Sequence, residues 1–269
     1  KWKTTLVVHS GMRQVKEIVD QFLLLNNFGT IFEFFDELDL PKGLLSLVHG
    51  GKETVDAILE HPTIKAISFV GSTPVARYIY SKGTANGKRV QAQGGAKNPV
   101  IVLPDADVEM STRIIADSVY GCAGQRCLAA STIVTVDDEN SNLKDALYET
   151  VKSRTVGYGW DKGVSMGPVI TPESKNRITD LIELGISEGA NALLDGRKTM
   201  VSGYEEGNFL APTILEKVHL NKKLIQTEIF GPVMSLISMK TIEEAIAFVN
   251  SGQYGNMACL FTSNGASAR

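Results

Sequence analysis

Residues 64–73 read Ile-Lys-Ala-Ile-Ser-Phe-Val-Gly-Ser-Thr and decide the fold class of this chain. The apolar, β-branched run before the glycine predicts a buried strand over residues 64–70. Gly71, Ser72 and Thr73 then open a helix that we expect to extend to about Lys82. A strand that leads directly into a helix begins a βαβ unit, so the chain is predicted to be an α/β protein with a parallel sheet.

The same alternation of strand and helix patterns continues on both sides of this segment. Further strands are predicted at residues 4–9, 44–49, 89–92, 100–103, 132–136 and 258–262. Helices are predicted at residues 14–25, 52–60, 107–120, 142–152, 172–189 and 242–250. In the helix at 107–120 we expect Ile114, Ile115 and Val119 to face the core, and Thr171 to cap the helix that follows it.

The composition is that of a globular protein and gives no support for several classes of function. Of the 269 residues 43% are apolar and 21% are charged, which is ordinary for a folded domain. The net charge is −3 without a block of like charge, so neither nucleic acid nor a membrane surface is expected as a partner. No apolar run approaches the roughly 18 residues of a membrane span. Three cysteines, an odd and low count, indicate a reducing compartment.

A second stretch, Gly121-Cys-Ala-Gly-Gln-Arg-Cys127, carries the candidate chemistry. Small residues and an arginine surround Cys127, as is typical where backbone approaches a ligand. These residues alone leave two interpretations open: a structural cysteine between a helix and a strand, or a nucleophilic thiolate beside Arg126 and backbone amides. Cys122 is too far from Cys127 for a C-x2-C metal site and no histidine adjoins either, so no metal is expected.

Two other motifs are also ambiguous when each is taken alone. The helix start at Gly71 and Ser72 would offer N–H groups and a positive dipole end to a phosphate. It is not a complete G-x-G-x-x-G, because Ala76 stands where a third glycine could, so by itself the motif favours ordinary strand–helix packing. The segment Glu228-Ile-Phe230-Gly-Pro is by itself compatible with a strand end and its turn.

Together these pieces resemble the aldehyde dehydrogenase superfamily, and in particular its CoA-acylating methylmalonate-semialdehyde (malonate-semialdehyde) branch. The resemblance is carried, in order from about residue 40 to residue 269, by LPKGLLSLVHG, HPTIKAISFVGS, GKRVQAQGGAKNPVIVLPDAD, GQRCLAAST, MGPVITPESKNRI, GYEEGNFLAPTI and EIFGPV. It implies an aldehyde dehydrogenase-like α/β fold. Residues 41–98 would be the C-terminal part of a Rossmann-type NAD-binding domain and residues 99–269 a catalytic domain that lacks its C-terminal end, with residues 1–40 unassigned.

The resemblance implies roles for residues that would contact the substrate. Cys127 matches the catalytic thiol, which attacks the aldehyde carbonyl, passes hydride to NAD and leaves a thioester. Arg126 matches the arginine that holds the substrate carboxylate in this branch. Gln93 stands where hydrolytic members carry a glutamate that activates water, and an amide cannot take that proton. Coenzyme A is therefore expected as the acyl acceptor.

The resemblance also implies residues that would contact NAD. Gly71 and Ser72 match the helix start beneath the NAD pyrophosphate. Glu228 matches the carboxylate that accepts hydrogen bonds from the nicotinamide ribose, and Phe230 matches the aromatic residue beside it.

Residues 1–40 do not match the family's first cofactor-binding half, so we expect the chain to be truncated at both ends. The resemblance implies a small semialdehyde as substrate, a location in the cytoplasm or mitochondrial matrix, and a family that forms homo-oligomers through a strand that is not matched here. One alternative is a catalytically inactive fragment that acts as a binding or assembly module. Another is a thiol hydrolase, which would need a histidine close to Cys127.

Overall fold

The structure is a computed structural model that describes residues 5–8, 35, 37–38, 44–137 and 142–269. The helix predicted at residues 14–25 lies outside the described residues. Contacts between Cα atoms divide the chain into two compact units, Lys1–Gly94 and Gly95–Arg269. None of the helices in the described ranges is long and apolar enough to cross a membrane.

The first unit contains two small sheets and two helices within its described residues. Its elements are β1 (Thr5–Val8), β2 (Leu45–Val48), α1 (Lys52–Glu60), β3 (Ala66–Val70), α2 (Thr73–Ala85) and β4 (Arg89–Gln93). β1 pairs with β2 in antiparallel orientation, whereas β3 pairs with β4 in parallel. The parallel pair and the intervening helix confirm the βαβ unit predicted from residues 64–73.

The connection between β3 and α2 brings two predicted site residues to one position. Ser72 is the N-cap of α2 and has extended backbone, and Gly71 precedes it. The N–H of Gly71 donates to the carbonyl oxygen of Gln93 at the end of β4, with a distance of 3.1 Å. Gly71, Ser72 and Gln93 therefore lie at the same carboxyl edge of this parallel pair.

The second unit is built on a six-stranded sheet. Its elements are β5 (Asn98–Val102), α3 (Val108–Tyr120), a 3-10 turn (Gly121–Gly124), β6 (Ala130–Val136), α4 (Leu143–Lys152), α5 (Pro172–Ser187), β7 (Asn191–Leu194), β8 (Thr213–Glu216), a second 3-10 turn (Leu224–Gln226), β9 (Val233–Met239), α6 (Ile242–Ser251) and β10 (Cys259–Phe261). The strand order is β10-β5-β6-β9-β8-β7, and only β7 in this sheet runs antiparallel to its neighbour.

The central strands form the core because they are covered on both faces. Nearly every residue in β6 and β9 is buried, as is usual for parallel strands that are covered on both faces. In α3, Ile115 and Val119 are buried as predicted. Ile114 is exposed, which contradicts the prediction, because the buried stripe runs along Ser111, Ile115 and Val119 and the preceding residue points about 100° away from it.

The ends of α3 and α5 are fixed by specific hydrogen bonds. The hydroxyl of the buried Tyr120, the last residue of α3, donates to the carbonyl oxygen of Thr213 with a distance of 2.9 Å. Burial raises the pKa of Tyr120, so this donor stays protonated. The bond from Tyr120 anchors the end of α3 to the start of β8, directly before the stretch that contains Cys127.

At the start of α5 the hydroxyl of Thr171 accepts a hydrogen bond from the N–H of Ser174, which confirms the predicted helix cap.

Candidate active-site cleft

The loop between α3 and β6 reverses the chain before it reaches Cys127. Three successive residues, Cys122, Ala123 and Gly124, have left-handed backbone with φ of 51°, 53° and 69°. At Gly124 a Cβ atom would lie 2.1 Å from the carbonyl oxygen of Gly231, so only glycine fits there. This contact brings the loop against the turn that follows Glu228.

Two amide side chains hold the peptide group that follows Cys127. The Nδ2 atoms of Asn98 and Asn256 each lie 2.8 Å from the carbonyl oxygen of Cys127. Asn98, at the start of β5, is only 3% exposed, and it also donates to the carbonyl oxygen of Ala129 at 2.9 Å. Cys127 itself is exposed and its thiol is free. The exposed cysteine therefore stands on a backbone segment whose carbonyl group cannot easily rotate.

Replacing Asn98 with alanine should lower the free energy of unfolding by about 2 kcal/mol, because two carbonyl oxygens lose a buried donor. Urea unfolding measures this change. Asn256→Ala is the matched control, since that exposed amide bonds the same Cys127 oxygen, and it should cost less than about 1 kcal/mol. Equal costs for the two variants would show that the buried amide has no special role.

Arg126 packs over the loop that precedes the cysteine. Its Nη2 atom lies 3.0 Å from the Sγ atom of Cys122, and a Cβ atom on Gly121 would come within 2.8 Å of its Nη1 atom. Among the described residues no carboxylate lies within ion-pair distance of Arg126, and the side chain is exposed. The guanidinium is therefore open to an anion from solution.

One backbone amide and two cationic side chains interact with the carboxylate of Glu228. Its Oε1 atom accepts a hydrogen bond of 3.0 Å from the N–H of Ala96. The charges of Lys97 and Arg177 also interact with Glu228. Burial lowers the pKa of Arg177, an effect that the charge of Glu228 partly opposes. Its guanidinium donates to the carbonyl oxygen of Ile229 at 2.6 Å, which fixes the backbone beside the carboxylate.

Phe230 has the same unusual backbone as the cysteine loop. Its φ is 50°, and 40% of the residue is exposed. A bulky residue rarely adopts this conformation, which costs on the order of 1–3 kcal/mol and is common at ligand sites. The adjacent Gly231 packs against Ile178 of α5, so α5 holds this turn in position.

One cleft of the second unit brings together four of the predicted site residues: Arg126, Cys127, Glu228 and Phe230. Gly71 and Ser72 belong to the first unit, at the start of α2. Sequence reasoning assigned no role to Asn98, Asn256, Lys97 or Arg177. Asn98 and Lys97 lie in the stretch GAKN at residues 95–98, two residues beyond Gln93, which could have drawn attention to them.

Comparisons with known proteins identify the family of this chain. The aldehyde dehydrogenase family model matches residues 28–269. Over 240 residues the chain is 43% identical to a malonate-semialdehyde dehydrogenase of Pseudomonas aeruginosa, a match that covers 89% of this chain and 48% of that protein. Over 229 residues it is 47% identical to the human mitochondrial methylmalonate-semialdehyde/malonate-semialdehyde dehydrogenase [acylating], with coverages of 85% and 43%.

A solved structure shares the fold. A protein from Sinorhizobium meliloti 1021, described as a candidate methylmalonate-semialdehyde dehydrogenase and complexed with NAD, superposes with a TM-score of 0.86 at 43% identity. The match covers 89% of this chain and 49% of that one. The chain spans about half the length of the curated relatives it matches. The predicted fold class is confirmed, and the chain belongs to the aldehyde dehydrogenase family.

Proposed function

We propose that this chain carries the catalytic cysteine of an NAD-dependent, CoA-acylating dehydrogenase for malonate or methylmalonate semialdehyde. The observation that supports this most strongly is the exposed Cys127 in the same cleft as Glu228, with its carbonyl group held by two amides. The substrate class comes from the names of the relatives. The exposed guanidinium of Arg126, which has no carboxylate partner among the described residues, suits a substrate with a carboxylate.

The residues of both units suit NAD. A carboxylate is an acceptor-only group, so Glu228 can receive both hydroxyl protons of a ribose diol. In the first unit the side chain of Ser72 makes no cap hydrogen bond, so the positive end of the α2 dipole suits a pyrophosphate. NAD, when bound, accepts the hydride that leaves the aldehyde carbon.

The chain's own residues account for the first part of the proposed reaction. The Cys127 thiolate adds to the aldehyde carbon, which turns the carbonyl oxygen into an oxyanion. The backbone N–H of Cys127 stabilises that charge, and the two amides on the neighbouring carbonyl keep the local backbone from shifting. Arg126 holds the substrate carboxylate and so orients the aldehyde carbon. Loss of hydride from that carbon leaves a thioester on Cys127.

Release of the thioester is proposed to use coenzyme A. Gln93 is exposed at the end of β4, and its amide cannot take a proton from water at neutral pH. The thiol of coenzyme A, partly thiolate near neutrality, attacks the thioester carbonyl and the Cys127 thiolate leaves. The balance is aldehyde, NAD⁺ and CoA-SH giving acyl-CoA, NADH and one proton.

The test is NADH formation with malonate semialdehyde, followed by absorbance, with and without coenzyme A. The rate should depend on coenzyme A, and Cys127→Ala should reduce it by at least about a thousandfold, because the covalent route is lost. Cys259→Ala is the matched control, since this exposed cysteine lies on β10 outside the cleft. A rate independent of coenzyme A rules out acylation, and an active Cys127→Ala rules out the nucleophile.

A chain that forms no NADH would point to the alternative of an inactive binding or assembly module. Calorimetric titration with NAD and the rate of Cys127 alkylation separate the two cases. Normal NAD affinity together with a reactive thiol counts against the inactive module, whereas the loss of both counts for it.

A further inference from the structure

Two Asn-Gly pairs occur in this chain, Asn86-Gly87 at the end of α2 and Asn264-Gly265 after β10. Such a pair is chemically labile, because the nitrogen of a glycine can attack the side-chain carbonyl carbon (Cγ) of the asparagine without hindrance from a Cβ atom. The attack closes a five-membered succinimide ring and expels ammonia. All four residues are exposed, so access to solvent does not distinguish the two pairs, whereas their hydrogen bonds do.

Asn86-Gly87 is held by hydrogen bonds that oppose this reaction. The N–H of Gly87 donates to the carbonyl oxygen of Thr84 at 2.9 Å, so the nitrogen that must lose its proton and attack is already engaged. The Nδ2 atom of Asn86 donates to the carbonyl oxygen of Lys82, also at 2.9 Å, and this bond ties the side chain to the last turn of α2. Both bonds have to break before the succinimide ring can close.

Asn264-Gly265 lacks both restraints. Among the described residues neither the N–H of Gly265 nor the Nδ2 group of Asn264 has a hydrogen-bond partner. The Oδ1 atom of Asn264 accepts a hydrogen bond of 2.8 Å from the N–H of Ala266, which holds the side chain toward the residues that follow it. A donor on this oxygen also stabilises the negative charge that develops there when Cγ is attacked. The second pair is therefore arranged for the reaction that the first pair resists.

We propose that Asn264 is a site of spontaneous deamidation, whereas Asn86 is protected by its hydrogen bonds. The nitrogen of Gly265 gives its proton to solvent and bonds to Cγ of Asn264, the Cγ–Nδ2 bond breaks, and the leaving group takes up a proton as ammonia. Water then opens the succinimide at either carbonyl and gives aspartate or isoaspartate. One side-chain amide and one water thus become one carboxyl group and one ammonia, without an oxidant or a cofactor.

The two products differ in their effect on the chain after β10. The N–H of Asn264 donates to the hydroxyl of Thr262 at 3.0 Å, and that hydroxyl donates to the carboxylate of Asp105 at 2.7 Å. Aspartate leaves the main chain unchanged and can still accept the bond from Ala266, as a capping residue does. Isoaspartate routes the main chain through Cβ and Cγ, which displaces the carbonyl oxygen that accepts from Ala268. Only isoaspartate should therefore open the turn that follows residue 264.

Peptide mapping by mass spectrometry of the full 269-residue chain, sampled during incubation in mildly alkaline buffer, measures both sites at once. Asn264 should react at least about tenfold faster than Asn86, because two hydrogen bonds must break at the second site. In urea the two rates should become similar, since the same dipeptide is then unfolded at both positions. Equal rates in the folded chain, or a ratio that persists in urea, would overturn the proposal.

Variants identify the attacking nitrogen. Gly265→Ala should slow the reaction of Asn264 at least about tenfold, because a Cβ atom hinders the attack. That atom would meet nothing within 4 Å, so the fold is kept. Gly159→Ala, at another exposed glycine with open space around it, is the matched control and should leave the rate unchanged. Asn264→Asp supplies the chromatographic standard for the aspartate product. An undiminished rate in Gly265→Ala, or aspartate without isoaspartate, would contradict the succinimide route.

Discussion

Gly124→Ala is expected to lower the free energy of unfolding by more than about 3 kcal/mol. The left-handed backbone, with φ of 69°, costs a residue with a side chain about 1–2 kcal/mol. The added Cβ would also stand 2.1 Å from the carbonyl oxygen of Gly231, and both partners are backbone that cannot rotate away. If the loops that meet at Gly124 and Gly231 separate, Cys127 should also move away from Glu228. Urea unfolding measures the change in the free energy of unfolding, and the alkylation rate of Cys127 reports the change in the surroundings of its thiol.

Gly203→Ala is the matched control for this prediction. Gly203 has a φ of 80°, and a Cβ atom there would meet nothing within 4 Å. Its substitution therefore carries the backbone strain alone, about 1–2 kcal/mol. If Gly124→Ala costs no more than Gly203→Ala, the close approach to Gly231 does not hold the cleft together.

Lys97→Met is expected to stabilise the chain at pH 7, by on the order of 3 kcal/mol, in the absence of any ligand. Burial lowers the pKa of Lys97 from 10.5 to about 8, and a tenfold change in a protonation equilibrium corresponds to about 1.4 kcal/mol. Below pH 8 the folded chain bears the whole cost of the buried charge. Between pH 8 and 10.5 it loses this proton before the unfolded chain does, so the stability of the native sequence rises with pH.

The advantage of Lys97→Met should therefore shrink between pH 8 and 10.5 and vanish above that range. Urea unfolding of both proteins at several pH values measures the difference, in which the other titrating groups largely cancel. Lys88→Met is the contrasting variant, because the buried Lys88 donates to the carbonyl oxygens of His61 and Ile64. It should destabilise the chain. A constant difference for Lys97→Met across this pH range would show that the lysine is not buried as a charge.

Much of the fold follows from local patterns. The helix Lys52–Glu60 was predicted at its observed bounds, because Val55 and Leu59 mark one buried face between a glycine pair and a proline. Strands such as Ala66–Val70 were predicted from β-branched runs, with bounds that differ by a few residues. β8 and β9 were not predicted as strands. β8 is short, and both strands are buried on both faces and give no alternation of apolar and polar residues.

The candidate site shows where local reasoning stops. The left-handed turn at Cys122 and Ala123 goes against the preference of both residues, and packing of Gly124 on Gly231 supports it. The amides on the Cys127 carbonyl come from 29 residues before it and 129 residues after it. A pattern within one segment of sequence cannot predict contacts between residues so far apart in the chain. The resemblance to a family could name the cysteine but not the residues that hold it.

The short segment around Lys97 and Asn98 also constrains how this protein can evolve. Asn98 lines the cleft of Cys127, whereas the adjacent Lys97 lines a cavity on the other side of the same backbone. An insertion or deletion of a single residue before Asn98 would turn its amide away from the carbonyl oxygen of Cys127, which would then lose its buried donor. The length of this segment is therefore more tightly constrained than its composition.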